Sequence, residues 1–214
     1  MQRIHLFIKP PGMTACSALA ARGFYLAGPP GASIRQVLNE WAGISSDYLD
    51  TVVQTVFHNG RAVDDDRKAM AADGSVIALS AAMPGLVGAA FRKNSPVAGM
   101  RTIDFPPQTD RPDAGFAAES NAGSAAGPSP GSEPITITLK FFNRVNADLG
   151  PVFLQRGIRV SGQTAHDVFK QYRDRLETFC TKAMINERPA TFPAIDDLVI
   201  GIGKKDVLIT VTEG

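Results

Sequence analysis

Between Asp104 and Pro134 the chain reads DFPPQTDRPDAGFAAESNAGSAAGPSPGSEP, and this stretch limits the possible folds more than any other. Twenty of its 31 residues are Pro, Gly, Ala or Ser, and Phe105 and Phe116 are its only aromatics. Such a text cannot bury enough apolar area to offset the entropy of ordering it. It reads as a disordered, flexible linker. The chain is thereby divided into 1–103 and 135–214, each long enough for one small core. Charge follows the same division. Residues 1–103 hold ten Lys/Arg and seven Asp/Glu, 104–132 hold one and four, and 133–214 hold eleven and ten. The ends are mildly basic and the middle is acidic, and the net charge of +1 leaves no strong field to draw nucleic acid or an anionic membrane.

Within 1–103, RIHLFIK alternates Ile4, Leu6 and Ile8 with His5 and Phe7, as a strand does. A Gly/Pro/Ala loop follows, then a second strand in GFYLAG. Ser33 with Gln36 three residues on makes a capping box, and Ile34, Val37, Leu38 and Trp41 fall on one helical face. Gly43 stands where a helix-ending glycine belongs. DTVVQTVFHNGRAVDD reads as a hairpin turning at Asn59-Gly60, and SVIAL as a further strand.

The second segment follows the same order. Ile135, Ile137, Leu139 and Phe141 mark a first strand and GIRVSG a second. A helix is expected from a Thr164 cap, with the stripe Ala165, Val168, Phe169, Tyr172, Leu176 and Phe179. AMINERPA and DLVIGIGKKDVLITV read as strands, the latter folded at Lys204-Lys205-Asp206. ARGFYLAG aligns with QRGIRVSG, TVFHNGRAV with AMINERPAT, and DGSVIALS with DDLVIGIG, which points to an internal duplication. Hairpins flanking one amphipathic helix make an α+β fold, a mixed sheet with a helix packed on one face.

That element order resembles the ubiquitin-like β-grasp, twice in tandem. Through VFHNGRAVDDD and ADGSVIALSAAMPGLVG, the first segment also resembles the small sulfur-carrier proteins of thiamine and molybdopterin biosynthesis. The resemblance implies a β-grasp domain at 1–103, the linker at 104–134 and a second, more divergent β-grasp at 135–214. In the carrier families a terminal glycine carboxylate is adenylated and converted to a thiocarboxylate, which implies an adenylating enzyme or sulfurtransferase as partner. This chain departs from that pattern. Leu86 and Val87 separate Gly85 from Gly88, neither glycine is terminal, and the chain runs on through Phe91, Arg92 and Lys93. Activation there would need cleavage after Gly85 or Gly88. Gly214 offers a terminal carboxylate, but Glu213 precedes it in place of a second glycine.

Two readings of the tail stay open. Met83, Pro84, Leu86, Val87 and Phe91, with Arg92 and Lys93 beside them, could form an apolar strip for a protein partner. The same residues could fold back on their own sheet as a strand or short helix. Asp64, Asp65 and Asp66 read as a solvated turn rather than a metal site. His5, His58 and His166 are isolated, and neither a nucleophile–base order nor a phosphate-binding GxxxxGK[ST] pattern stands out. Cys16, in the expected Gly/Ala-rich loop, and Cys180 read as free thiols in a reducing compartment. The opening residues lack the long apolar core of a signal peptide, and no apolar run reaches the length of a membrane span. The expectation is a cytoplasmic, non-enzymatic interaction protein without metal or cofactor. Its alternatives are a sulfur carrier or degenerate relative, and an enzyme with a site between the modules.

Overall fold

Alternating apolar residues give the main strands two unlike faces, and these faces line up across the molecule. The computed structural model describes residues 1–83, 85–93, 95–96 and 133–214, apart from the side chains of Leu86 and Val87. Pro84 and the 104–132 part of the expected linker lie outside the described residues. The first segment contains β1 (Gln2–Ile8), α1 (Pro10–Cys16), α2 (Ala18–Arg22), β2 (Phe24–Gly28) and α3 (Ile34–Gln36). The last of these continues as a π-helical turn, Val37–Trp41. Then come α4 (Ser46–Thr51), β3 (Thr55–His58), β4 (Arg61–Val63), β5 (Val76–Ser80) and α5 (Gly85–Phe91). The second segment contains β6 (Ile135–Phe142), α6 (Asn143–Arg156), β7 (Ile158–Ser161), α7 (Gly162–Gln171) and α8 (Arg173–Phe179). It ends with β8 (Cys180–Ile185), β9 (Arg188–Pro189), α9 (Phe192–Ile202) and β10 (Asp206–Glu213).

The α+β expectation holds, as a mixed sheet with helices. The ten strands lie in one sheet in the order β4-β3-β5-β6-β2-β7-β10-β1-β8-β9. At its centre β2 meets β7 at a single pair, Tyr25 and Arg159. Outward from there both halves repeat one pattern. On the left, β2–β6 is antiparallel, β6–β5 parallel, and β5–β3 and β3–β4 antiparallel. On the right, β7–β10 is antiparallel, β10–β1 parallel, and β1–β8 and β8–β9 antiparallel.

One strand of each central parallel pair comes from the other segment. β1 completes the right half and β6 the left. The expectation of two separate cores on either side of a tether is therefore corrected. Ile4, Leu6, Ile8, Val56, Leu79, Leu139, Phe141, Ile158, Val160 and Ile209 belong to one continuous buried cluster. The physical reason is chain length. A parallel pair needs a crossover of roughly a dozen residues or more, and the connection from Ser80 to Ile135 is ample for β6 to insert beside β5. At the core Phe141 meets Phe24 and Phe153 edge-on, with ring centroids 5.4 and 5.0 Å apart.

Several local features match the expectations. Ser33 Oγ accepts from the Gln36 amide, and Gln36 Oε1 accepts from the Ser33 amide. Gly43 follows the helix end with φ +68°. Asn59 and Gly60 turn the first hairpin with φ +50° and +80°, as a two-residue turn of this hand requires.

Other features differ. Phe192–Ile202 is a helix and not a strand, so the hairpin expected at Lys204 is absent and DLVIGIG has no strand counterpart to SVIAL. A short apolar run cannot be assigned to strand or helix by periodicity alone. Here Pro193 in the first turn starts a helix, and Gly203, φ +58°, stops it. The helix expected from Thr164 onward is two, α7 and α8, broken at Tyr172 and capped by Ser161, whose Oγ accepts from the Thr164 amide. The loop expected after β1 is helical in α1 and α2, and α6 adds fourteen residues between β6 and β7.

Candidate functional site

After β5 the described tail forms the short helix α5, Gly85–Phe91. Gly85 enters α5 with φ +81°. Gly88 is buried, and a Cβ there would run into the Met83 carbonyl, so only glycine fits. Phe91 packs on Phe57, ring centroids 5.5 Å apart. Met83 and Lys93 are half-buried, Arg92 is exposed, and Pro84 lies outside the described residues.

Beyond α5 the chain is held by charge. The Lys93 amide donates to the Gln54 carbonyl at 2.8 Å. Lys93 Nζ donates to the Leu49 carbonyl at 3.3 Å and pairs with Asp66 Oδ2 at 3.4 Å. Asp66 Oδ1 also accepts from Arg35 Nε at 3.1 Å, while Arg35 Nη2 pairs with Asp50 at 2.7 Å. The Asp64–Asp66 expectation is thus corrected at its last member, since Asp66 is 4% exposed. The physical reason is that two cations compensate its desolvation. Burial works to lower the Arg35 pKa, but its hydrogen bonds to Asp50 and Asp66 outweigh this and raise it. The Arg35 hydrogen bond holds the Asp50 carboxyl below its usual value. These residues line an open cleft of about 550 Å³ that also includes Asp64, Asp65 and Arg67.

The second feature is the sheet face opposite the apolar core. Helices α1, α2, α6, α7 and α9 pack on the core side. On the other side the β1 register places His5 and Phe7 beside Thr210 and Thr212 of β10 and Met184 and Lys182 of β8. His5 stacks on Phe7 with centroids 4.2 Å apart, and His5 Nε2 shares a 3.0 Å hydrogen bond with Thr212 Oγ1. Lys182 Nζ lies 5.3 Å from the Phe7 ring centre. Nearer the centre, Arg159 lies over Tyr25 at 5.9 Å and pairs with Asp206 at 3.3 Å. A depression of about 170 Å³ is lined by Arg3, His5, Met184, Glu187, Leu208 and Thr210. His5 and Phe7 are half-buried and Lys182 is exposed.

The remaining candidates are scattered. Gly214 sits beside β1, its amide donating to the Ile8 carbonyl at 3.3 Å. His58 shares a 3.0 Å hydrogen bond with Ser75 Oγ in the opposite half of the sheet from His5, and His166 lies on α7. Cys16 is buried in α1, not in a loop, and burial first, with Cys180 second, pushes its thiol up to about 12. Among the described residues no group of three or more His, Cys, Asp or Glu could hold a metal ion. No helix of the described residues is long and apolar enough to cross a membrane.

Sequence reading missed the Arg35–Asp66–Lys93 lattice because its members are far apart in the chain and each has an ordinary surface identity. It also missed the open face as a surface. The alternation that buries Ile4, Leu6 and Ile8 does place His5 and Phe7 opposite them, but their neighbours Lys182 and Thr212 come from other strands. In comparisons with protein-family models, curated proteins and solved structures, the chain matches none.

Proposed function

We propose that this is a non-enzymatic protein-interaction protein built of two ubiquitin-like β-grasp modules merged along one sheet. Its docking surface is the part of the sheet face opposite α1, α2, α6, α7 and α9 that α5 leaves open, and the partner it suits is an acidic segment that also presents an aromatic or apolar side chain. The supporting observation is the His5–Phe7 stack with Lys182 over it, an apolar platform set among cations. Arg3, Lys140, Arg159 and Lys182 lie on this face, against Asp206 and the neighbouring Glu187. Stacked rings supply contact area at low entropy cost, and surrounding cations select the charge of what lands there.

The sulfur-carrier alternative meets two obstacles. Release at Gly85 or Gly88 means cutting within α5, next to the buried Gly88. Gly214 is tied to the backbone of β1, its amide donating to the Ile8 carbonyl. The test pairs Phe7→Ser with Lys182→Glu in the full chain. A partner recovered with the wild-type protein should be lost by the double variant, with melting temperature changed little. Binding that is unaffected by both changes, or turnover of a small metabolite at a site elsewhere, overturns the reading.

A further inference from the structure

Among the described residues, β1, β2 and β6 have no sheet neighbour from their own segment. β1 lies between β10 and β8, β2 between β6 and β7, and β6 between β5 and β2. Deprived of the other segment, each would present both edges and its buried residues to water. Those residues include Ile4, Leu6, Phe24, Ile137, Leu139 and Phe141, all at most 1% exposed. The segments 1–96 and 133–214 are thus complements, each carrying a strand that only the other can seat.

We propose that a second copy of this chain is a partner the fold accepts. Segment 1–96 of one copy closes the sheet with segment 133–214 of the other, and reciprocally. Every strand pairing seen within one chain is reproduced in such a dimer, so the two states differ chiefly in where the connection runs. That connection, 97–132, is 36 residues long. A tether of this order sets an effective concentration of roughly millimolar for its own second segment. In dilute solution the chain therefore closes on itself. Near that concentration, or when many chains fold together, reciprocal closure competes. Once formed, the dimer is slow to revert, because separation requires extracting a central strand from each half of the sheet. This inference does not depend on the proposed partner surface.

The experiment uses two full-length variants. Leu6→Asp spoils β1 and Leu139→Asp spoils β6, and each alone should be unfolded by circular dichroism. Refolded together in equal amounts, the intact first segment of the Leu139→Asp chain meets the intact second segment of the Leu6→Asp chain. One sound sheet per dimer should return roughly half the native amplitude, in a particle of dimer size. A mixture that stays the sum of two unfolded chains overturns the proposal. So does either variant remaining folded alone, since its strand is then not obligatory. A protease site inserted after Gly123 gives an independent measurement on otherwise unaltered protein. After cleavage the two fragments should co-elute and unfold in one transition, whereas separation into two folded fragments overturns the proposal.

Discussion

The two halves of the sheet have the same succession of strand directions and different coverings. On the left, α5 returns across the face opposite the core, with Phe91 on Phe57 and Lys93 fastened to Asp66. On the right, the helix preceding the last strand, α9, lies on the core side, where Val199 and Ile202 pack over Gly162. The right half therefore leaves the stack of His5 and Phe7 partly open, whereas the left half covers Ala78, 7% exposed, in the strand beside Phe57. The difference teaches that strand pairing sets the frame while the connections decide which face is offered to a partner. Function on such a frame has to be argued from the covering, side chain by side chain.

The comparison breaks most readily at the shared core. Phe141 belongs to the second segment but packs in the left half against Phe24 and Phe153. Phe141→Ala should cost about 3–5 kcal/mol. Urea unfolding followed by circular dichroism and by Trp41 fluorescence should shift as one transition. Two separated transitions would mean that the halves do not share stability.

The left-hand covering is sharpened next. Asp66→Ala leaves Arg35 and Lys93, whose side chains are 12% and 18% exposed, without their common carboxylate. The expected loss is about 2 kcal/mol, below that of a fully stranded buried charge, because Arg35 keeps Asp50 and Lys93 keeps the Leu49 carbonyl. It should appear first as faster amide exchange over 85–93, with the right half retaining its protection until global unfolding. Equal loss of protection in both halves would deny that the latch is local.

The smallest effect contrasts the two hairpins. Asn59-Gly60 turns the left one, while Asn186 and Glu187 turn the right one with φ +48° and +67°. Glutamate in the left-handed region is strained where glycine is not. Glu187→Gly should stabilise the protein by about 0.5–1 kcal/mol, read as a higher melting temperature. A fall would show that Glu187 makes a compensating contact.

Much of the local structure was legible in the residues. The Ser33–Gln36 box, the Asn59-Gly60 turn and the alternation in β1 and β6 are short-range signals that the structure carries at the expected places. Misreadings came where local signals conflict. Phe192–Ile202 has the β-branched, apolar text of a buried strand, yet Pro193 and the packing of Val199 over Gly162 make it a helix. Pro10 and Pro11 look like loop residues and instead occupy the first turn of α1, where their missing amides cost nothing. The Asp66 lattice had no local signal at all.

By itself the sequence determined the α+β class, the faces of the strands, the caps and the first hairpin turn, because these depend on residues within a few positions of one another. Only the tertiary structure decided that β1 and β6 change places between the segments, that Asp66 is buried between two cations, and which sheet face stays open. Those outcomes rest on contacts between residues far apart in the chain, from Asp66 and Lys93, 27 apart, through β5 and β6, 62 apart, to β1 and β10 at its two ends. An edge strand's amides and carbonyls bind any strand of suitable register, so the choice falls to the packing of the whole core and the length of the connections.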